Sequence, residues 1–123
     1  MSKKIMIVED EKTFHDLYRI MFEGRDYDIS YVYDGDAAME KLEEDRPDLI
    51  ILDMLLDMVT GDTFFLHLKG MLKYANIPVI IISAFSQKHY KNLKKIDPSL
   101  VYIEKSYLTK EKLLEEVEKK LPG

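Results

Sequence analysis

Four apolar segments of this sequence run into residues that can do chemistry. Ile5 to Val8 is followed by Glu9 and Asp10, Leu49 to Leu52 by Asp53, Val79 to Ile82 by Ser83, and the segment from 100 to 104 by Lys105. Taken singly, each is a solvated residue ending a strand; a charge inside a buried strand would be costly, whereas one at its end can face solvent or a ligand. Taken together they are a set of complementary groups. If Glu9, Asp10 and Asp53 converge, two carboxylates ~4 Å apart repel by about 4 kcal/mol at an effective dielectric of ~20. A hard divalent cation suits such an all-oxygen set, so Mg²⁺, or Mn²⁺ in its place, is the expected ion. With that charge offset, Asp53 is a candidate nucleophile toward a phosphoryl group through an acyl phosphate. Lys105 can then place its ammonium on a phosphate oxygen, and Ser83 can donate a hydrogen bond to another. The chain has no glycine-rich nucleotide loop, so the phosphate is expected from a small donor or another protein.

These residues need a scaffold that brings strand ends together. Apolar runs bounded by turn signals alternate with segments of helical period, the pattern of βαβ units around a parallel sheet. The pattern predicts five strands, near residues 4–9, 28–33, 48–53, 77–83 and 100–104, and five helices. The continuously apolar Leu49 to Leu52 and Val79 to Ile82 read as central strands covered on both faces. Phe14, Leu17, Tyr18, Met21 and Phe22 form one helical stripe that ends at Gly24. In the last helix Leu113, Leu114, Val117 and Leu121 repeat the stripe, with Thr109 as cap and Leu108 as staple onto Leu113. Weaker helical patterns cover 35–45, 61–73 and 86–96, where Phe64, Phe65 and Leu68 read as packing. Right-handed crossovers turn these units into an α/β, doubly wound five-stranded parallel sheet with ligands at the carboxyl ends of its strands.

At 123 residues and 46% apolar content the chain is expected to form one domain, 1–123, with one packed core. Its apolar stretches fall far short of the ~20 residues of a membrane span, and Ile5 to Val8 is too short for a secretory signal. A cytoplasmic protein without membrane insertion is expected. The net charge of −5 speaks against direct nucleic-acid binding. The absence of cysteine removes disulfides, thiolate metal sites and thiol nucleophiles. His15, His67 and His89 fall in helical segments, away from the strand ends, and read as surface or packing residues. Lys88, Lys91, Lys94 and Lys95, with His89 and Lys110, make a locally basic surface that reads as solvated.

From about residue 3 to 121 the sequence resembles the receiver domain of bacterial two-component response regulators. The likeness rests on the acidic pair Glu9 and Asp10, on Asp53, Gly61, Ser83 with Ala84, Tyr102 and Lys105, all in order and at compatible spacing. It implies the flavodoxin-like strand order 2-1-3-4-5. It also implies a phosphoacceptor Asp53 served by a histidine kinase or histidine phosphotransfer protein. Mg²⁺ would then be held by Glu9, Asp10, Asp53 and the backbone carbonyl of Leu55. Ser83 and Tyr102 would be a switch pair acting on a protein partner through the face formed by the fourth helix, fifth strand and fifth helix. Such a domain assists its own phosphorylation and dephosphorylation and is a signalling module rather than an enzyme.

The sequence carries common variants of the pattern at Glu9 and Ser83 and departs from it further in two places. Asp57 stands where the family usually has a proline and could approach the metal at one remove. Ser106 follows Lys105 where the family usually has a proline after a cis bond, so either a trans linkage or a retained cis bond is expected; the latter costs ~2.5–4 kcal/mol. Leu55 and Phe85, two positions after Asp53 and Ser83, are apolar and would slow phosphoaspartate hydrolysis by excluding water. Two other readings of the residues stay open: an interaction module of the same fold that never receives phosphate, and a Mg²⁺-dependent phosphohydrolase working through an aspartyl phosphate.

Overall fold

The computed structural model describes residues 2–54, 60–84 and 90–122. Its strands are β1 (Lys3–Val8), β2 (Tyr27–Val32), β3 (Leu49–Leu52), β4 (Val79–Ser83) and β5 (Val101–Glu104). Among the described residues its α-helices are α1 (Lys12–Met21), α2 (Gly35–Glu44), α3 (Gly61–Lys69), α4 (Tyr90–Ile96) and α5 (Lys110–Lys120). The strands form one parallel sheet in the order β2-β1-β3-β4-β5. This is the doubly wound, flavodoxin-like architecture expected from the sequence. No described helix is long and apolar enough to cross a membrane.

Period-two alternation along the strands sorts the core into two layers. Met6 and Val8 of β1, Ile50 and Leu52 of β3 and Ile81 of β4 pack with Leu42 of α2, Phe64, Phe65 and Leu68 of α3 and Leu93 of α4. Their neighbours Ile5, Ile7, Leu49, Ile51, Ile80 and Ile82 pack on the other side with Tyr18 of α1 and Leu113 and Val117 of α5. β3 and β4 carry apolar residues on both faces because both faces are covered. Burial of each such side chain contributes about 1.5–3 kcal/mol.

The register decides where the chemistry emerges. Val8 pairs with Leu52, so Glu9 and Asp53 leave the sheet side by side. The Asp53 amide donates to the Val8 carbonyl at 3.0 Å, and the Glu9 amide to the Val32 carbonyl at 3.0 Å. On the other flank Ser83 pairs with Glu104, the residue before Lys105.

The strand bounds differ from the sequence-based ones by one or two residues, and Pro78, inside the segment predicted over 77–83, precedes β4. Helix α3 ends four residues earlier than the pattern over 61–73 predicts. The Lys69 ammonium turns back onto the carbonyls of Ala75 and Ile77 at 3.1 and 2.8 Å, and Gly70 caps the helix. Gly24 takes the left-handed conformation at φ 81° just past α1. Thr109 caps α5, accepting from the Lys112 amide at 3.1 Å, and Leu108 shares a hydrophobic cluster with Leu113. Of the helix predicted over 86–96, the residues from Tyr90 onward are seen as α4; Lys88 and His89 lie outside the described residues.

Candidate functional site

Glu9, Asp10 and Asp53 meet at the carboxyl edge of the sheet, each offering a carboxylate oxygen, all within 4.8 Å of one another. Glu9 and Asp53 are almost fully buried, at 1% and 2% exposure. Lys105 reaches over them from the end of β5. Its ammonium stands 2.9 Å from Glu9 Oε1, 3.3 Å from Asp53 Oδ2 and 3.1 Å from Glu11 Oε1. The contact to buried Glu9 Oε1 is an ion pair rather than a well-directed hydrogen bond. The Phe14 ring lies beneath the ammonium, 4.2 Å from centroid to nitrogen, in cation–π geometry. Glu9 Oε2 accepts from the Glu11 amide at 3.1 Å.

Among the described residues the pocket thus holds more negative than positive charge. Burial pushes the Glu9 carboxyl up to about 8 and the nearby Asp53 charge adds to this, against the opposing pull of Lys105. Burial alone would lower Lys105, but the carboxylates of Glu9, Glu11 and Asp53 outweigh it and hold the ammonium above the ordinary lysine range. An all-oxygen donor set with surplus negative charge, one member of which is partly held back from ionising, fits a hard divalent cation.

Ser83 closes β4 fully buried. Its hydroxyl lies near the Tyr102 phenol, whose ionisation is raised by burial and opposed by that neighbouring hydroxyl. The Tyr102 ring stands edge-on to Tyr90 at 5.5 Å, and the Tyr90 hydroxyl donates to the Leu100 carbonyl at 2.8 Å. The sequence-based pair Ser83 and Tyr102 are therefore neighbours. Gly61 opens α3 against the pocket floor: a Cβ there would lie 2.4 Å from both the Asp53 carbonyl oxygen and Met54 Cα, so only glycine allows this approach.

Between Lys105 and Ser106 the peptide is trans, and the chain continues as a 3-10 turn over Lys105–Tyr107. Leu55, Asp57 and Phe85 lie outside the described residues. Sequence reasoning missed three contributors, all on the turn into α1. Glu11 and Phe14 hold Lys105, and His15, read as surface or packing, is wholly buried against the Glu9 main chain. The signal available for His15 was its place three residues before Tyr18 and seven before Phe22, on the stripe that faces the core.

A family model described as the response regulator receiver domain matches residues 5–118. The polar-differentiation response regulator DivK of Brucella anthropi is 36% identical over 88 residues, 72% of this chain and 72% of that protein. Among solved structures, the signal receiver domain of a Luxo repressor protein from Vibrio parahaemolyticus superposes with a TM-score of 0.86 at 26% identity, covering 98% of this chain and 91% of that one. The Mn²⁺-bound form of response regulator Rcp1 superposes with a TM-score of 0.82 at 25% identity, covering 95% and 92%.

Proposed function

This chain belongs to the response regulator receiver family, and from that premise we propose that its Asp53 accepts a phosphoryl group from a histidine kinase or histidine phosphotransfer protein. The observation that carries this reading is the buried meeting of Glu9, Asp10 and Asp53 under the Lys105 ammonium.

Glu9, Asp10 and Asp53 would hold Mg²⁺ or Mn²⁺, with the Leu55 carbonyl as the ligand the family pattern adds. Such an ion supplies positive charge against the oxygens of the transferred phosphoryl group. The similarity to response regulator Rcp1, whose solved form is Mn²⁺-bound, supports this choice of ion. In the transfer, an Asp53 carboxylate oxygen forms the new O–P bond while the P–N bond to the donor imidazole breaks, and the imidazole leaves with a proton from solvent. Lys105 exchanges its carboxylate contacts for a phosphoryl oxygen, which its flexible stem permits. The Ser83 hydroxyl donates to another oxygen and turns away from Tyr102. Tyr102 then repacks against Tyr90, changing the face of α4, β5 and α5 toward a protein partner. A shift of a few kcal/mol between two populated states is enough.

Incubation with Mg²⁺ and acetyl phosphate, followed by intact-mass measurement, tests the reading. A phosphate-sized gain on wild type, absent from Asp53→Asn, is expected; no gain on wild type would instead favour an interaction module that receives no phosphate.

A further inference from the structure

His15 is a polar residue at 0% exposure in the first turns of α1, and its surroundings are specific. Its Nε2 lies 2.6 Å from the carbonyl oxygen of Glu9. A carbonyl can only accept, so the imidazole carries its proton on Nε2 and donates it. The ring is packed by Tyr33, with centroids 4.3 Å apart at 39°, and by the edge of Tyr31 at 5.4 Å. The Arg19 guanidinium covers Tyr31 from outside at 4.2 Å.

The consequence falls on Glu9. Its amide is tied to the Val32 carbonyl at the end of β2 and its carbonyl to His15 on α1. With both main-chain polar groups bound, rotating its peptide planes to relieve the crowding of its carboxylate against Asp53 would break a hydrogen bond. We propose that His15 is a positioning residue: by fixing the main chain of Glu9 it sets the affinity of the acidic pocket for a divalent cation. The inference rests on reading that pocket as a cation site. An imidazole that merely filled space would be replaced without penalty by an apolar side chain of similar length. Partners one step removed from a metal typically change its affinity by about 10–100-fold when lost.

The test uses the full chain and Mn²⁺ alone, with free ion followed by electron paramagnetic resonance and melting curves taken alongside. His15→Met and His15→Gln have similar length, and only Gln keeps an N–H donor. The Met variant is expected to bind Mn²⁺ about tenfold more weakly and the Gln variant to recover most of the loss. Tyr33→Leu, which loosens the packing and leaves the donor, should lower the melting temperature with unchanged Mn²⁺ affinity. Equal affinity in wild type and the Met variant, or a Gln variant as weak as Met, overturns the role of His15. Absence of Mn²⁺ binding by wild type overturns the cation site itself. On wild type labelled with ¹⁵N-histidine, the His15 Nε2 proton should be protected from exchange and shift when Mg²⁺ is added; a freely exchanging proton rejects the proposal however the variants fold.

Discussion

Lys69 and Lys105 sit at opposite edges of the sheet, with side chains 8% and 9% exposed, and they meet different company. Lys69 closes α3 with one carboxylate, Asp97 at 3.1 Å, and the carbonyls of Ala75 and Ile77. Its three donors have three acceptors and its charge has one counter-charge. Lys105 faces Glu9, Glu11 and Asp53, with Asp10 in the same group of carboxylates. Burial is the same and balance is not. A balanced pair has nothing to gain from another ion, whereas an overloaded one carries surplus negative charge that a second cation would offset.

The largest expected effect breaks the balanced site. Lys69→Met removes the counter-charge of Asp97, leaving its carboxylate with the Ser99 amide and hydroxyl, and should cost about 2–3 kcal/mol, read as a lower urea midpoint. Removing a charge from the overloaded site should do the reverse. Asp53→Asn relieves repulsion in the metal-free protein, so stability should rise by about 1–2 kcal/mol and lose any dependence on added Mg²⁺. A destabilised Asp53→Asn would erase the contrast.

A further contrast is a difference of sign with pH. Burial raises the Glu9 carboxyl to about 8, so the folded protein holds a proton that the unfolded chain releases near 4.5. Metal-free stability should therefore fall as pH rises from about 4.5 and level off above about 8. Glu9→Gln should flatten this slope in melting curves. Asp97 runs the other way: burial alone would raise its carboxyl, but Ser99 and Lys69 hold it below the ordinary 3.8. Its contribution should be complete above that value and fade as pH falls below it, and Lys69→Met should weaken that dependence.

The apolar identity of β3 and β4 and the residues at their ends were legible because both follow from local pattern: a doubly covered strand must be apolar throughout, and charge returns where cover stops. Glu9, Asp10, Asp53, Ser83, Tyr102 and Lys105 were found in this way or by family resemblance. What escaped depends on pairs remote in sequence. Nothing near Lys69 announces Asp97, and nothing near His15 says that the carbonyl it must satisfy belongs to Glu9. The early end of α3 has the same character, since the Lys69 side chain in its last turn is held by carbonyls six and eight residues on.

Helix α3 runs from the acidic pocket to the Lys69 anchor. At one end Gly61 is seated against the backbone of Asp53 and Met54, its amide bonded to the Met54 carbonyl at 3.1 Å; at the other Lys69 is anchored to Asp97. In mechanical terms α3 is a strut fixed at both joints, unable to slide along its axis without breaking one of them. The rearrangement proposed to follow phosphorylation of Asp53 would then find its outlet on the opposite wall of the pocket, where Ser83 and Tyr102 face each other.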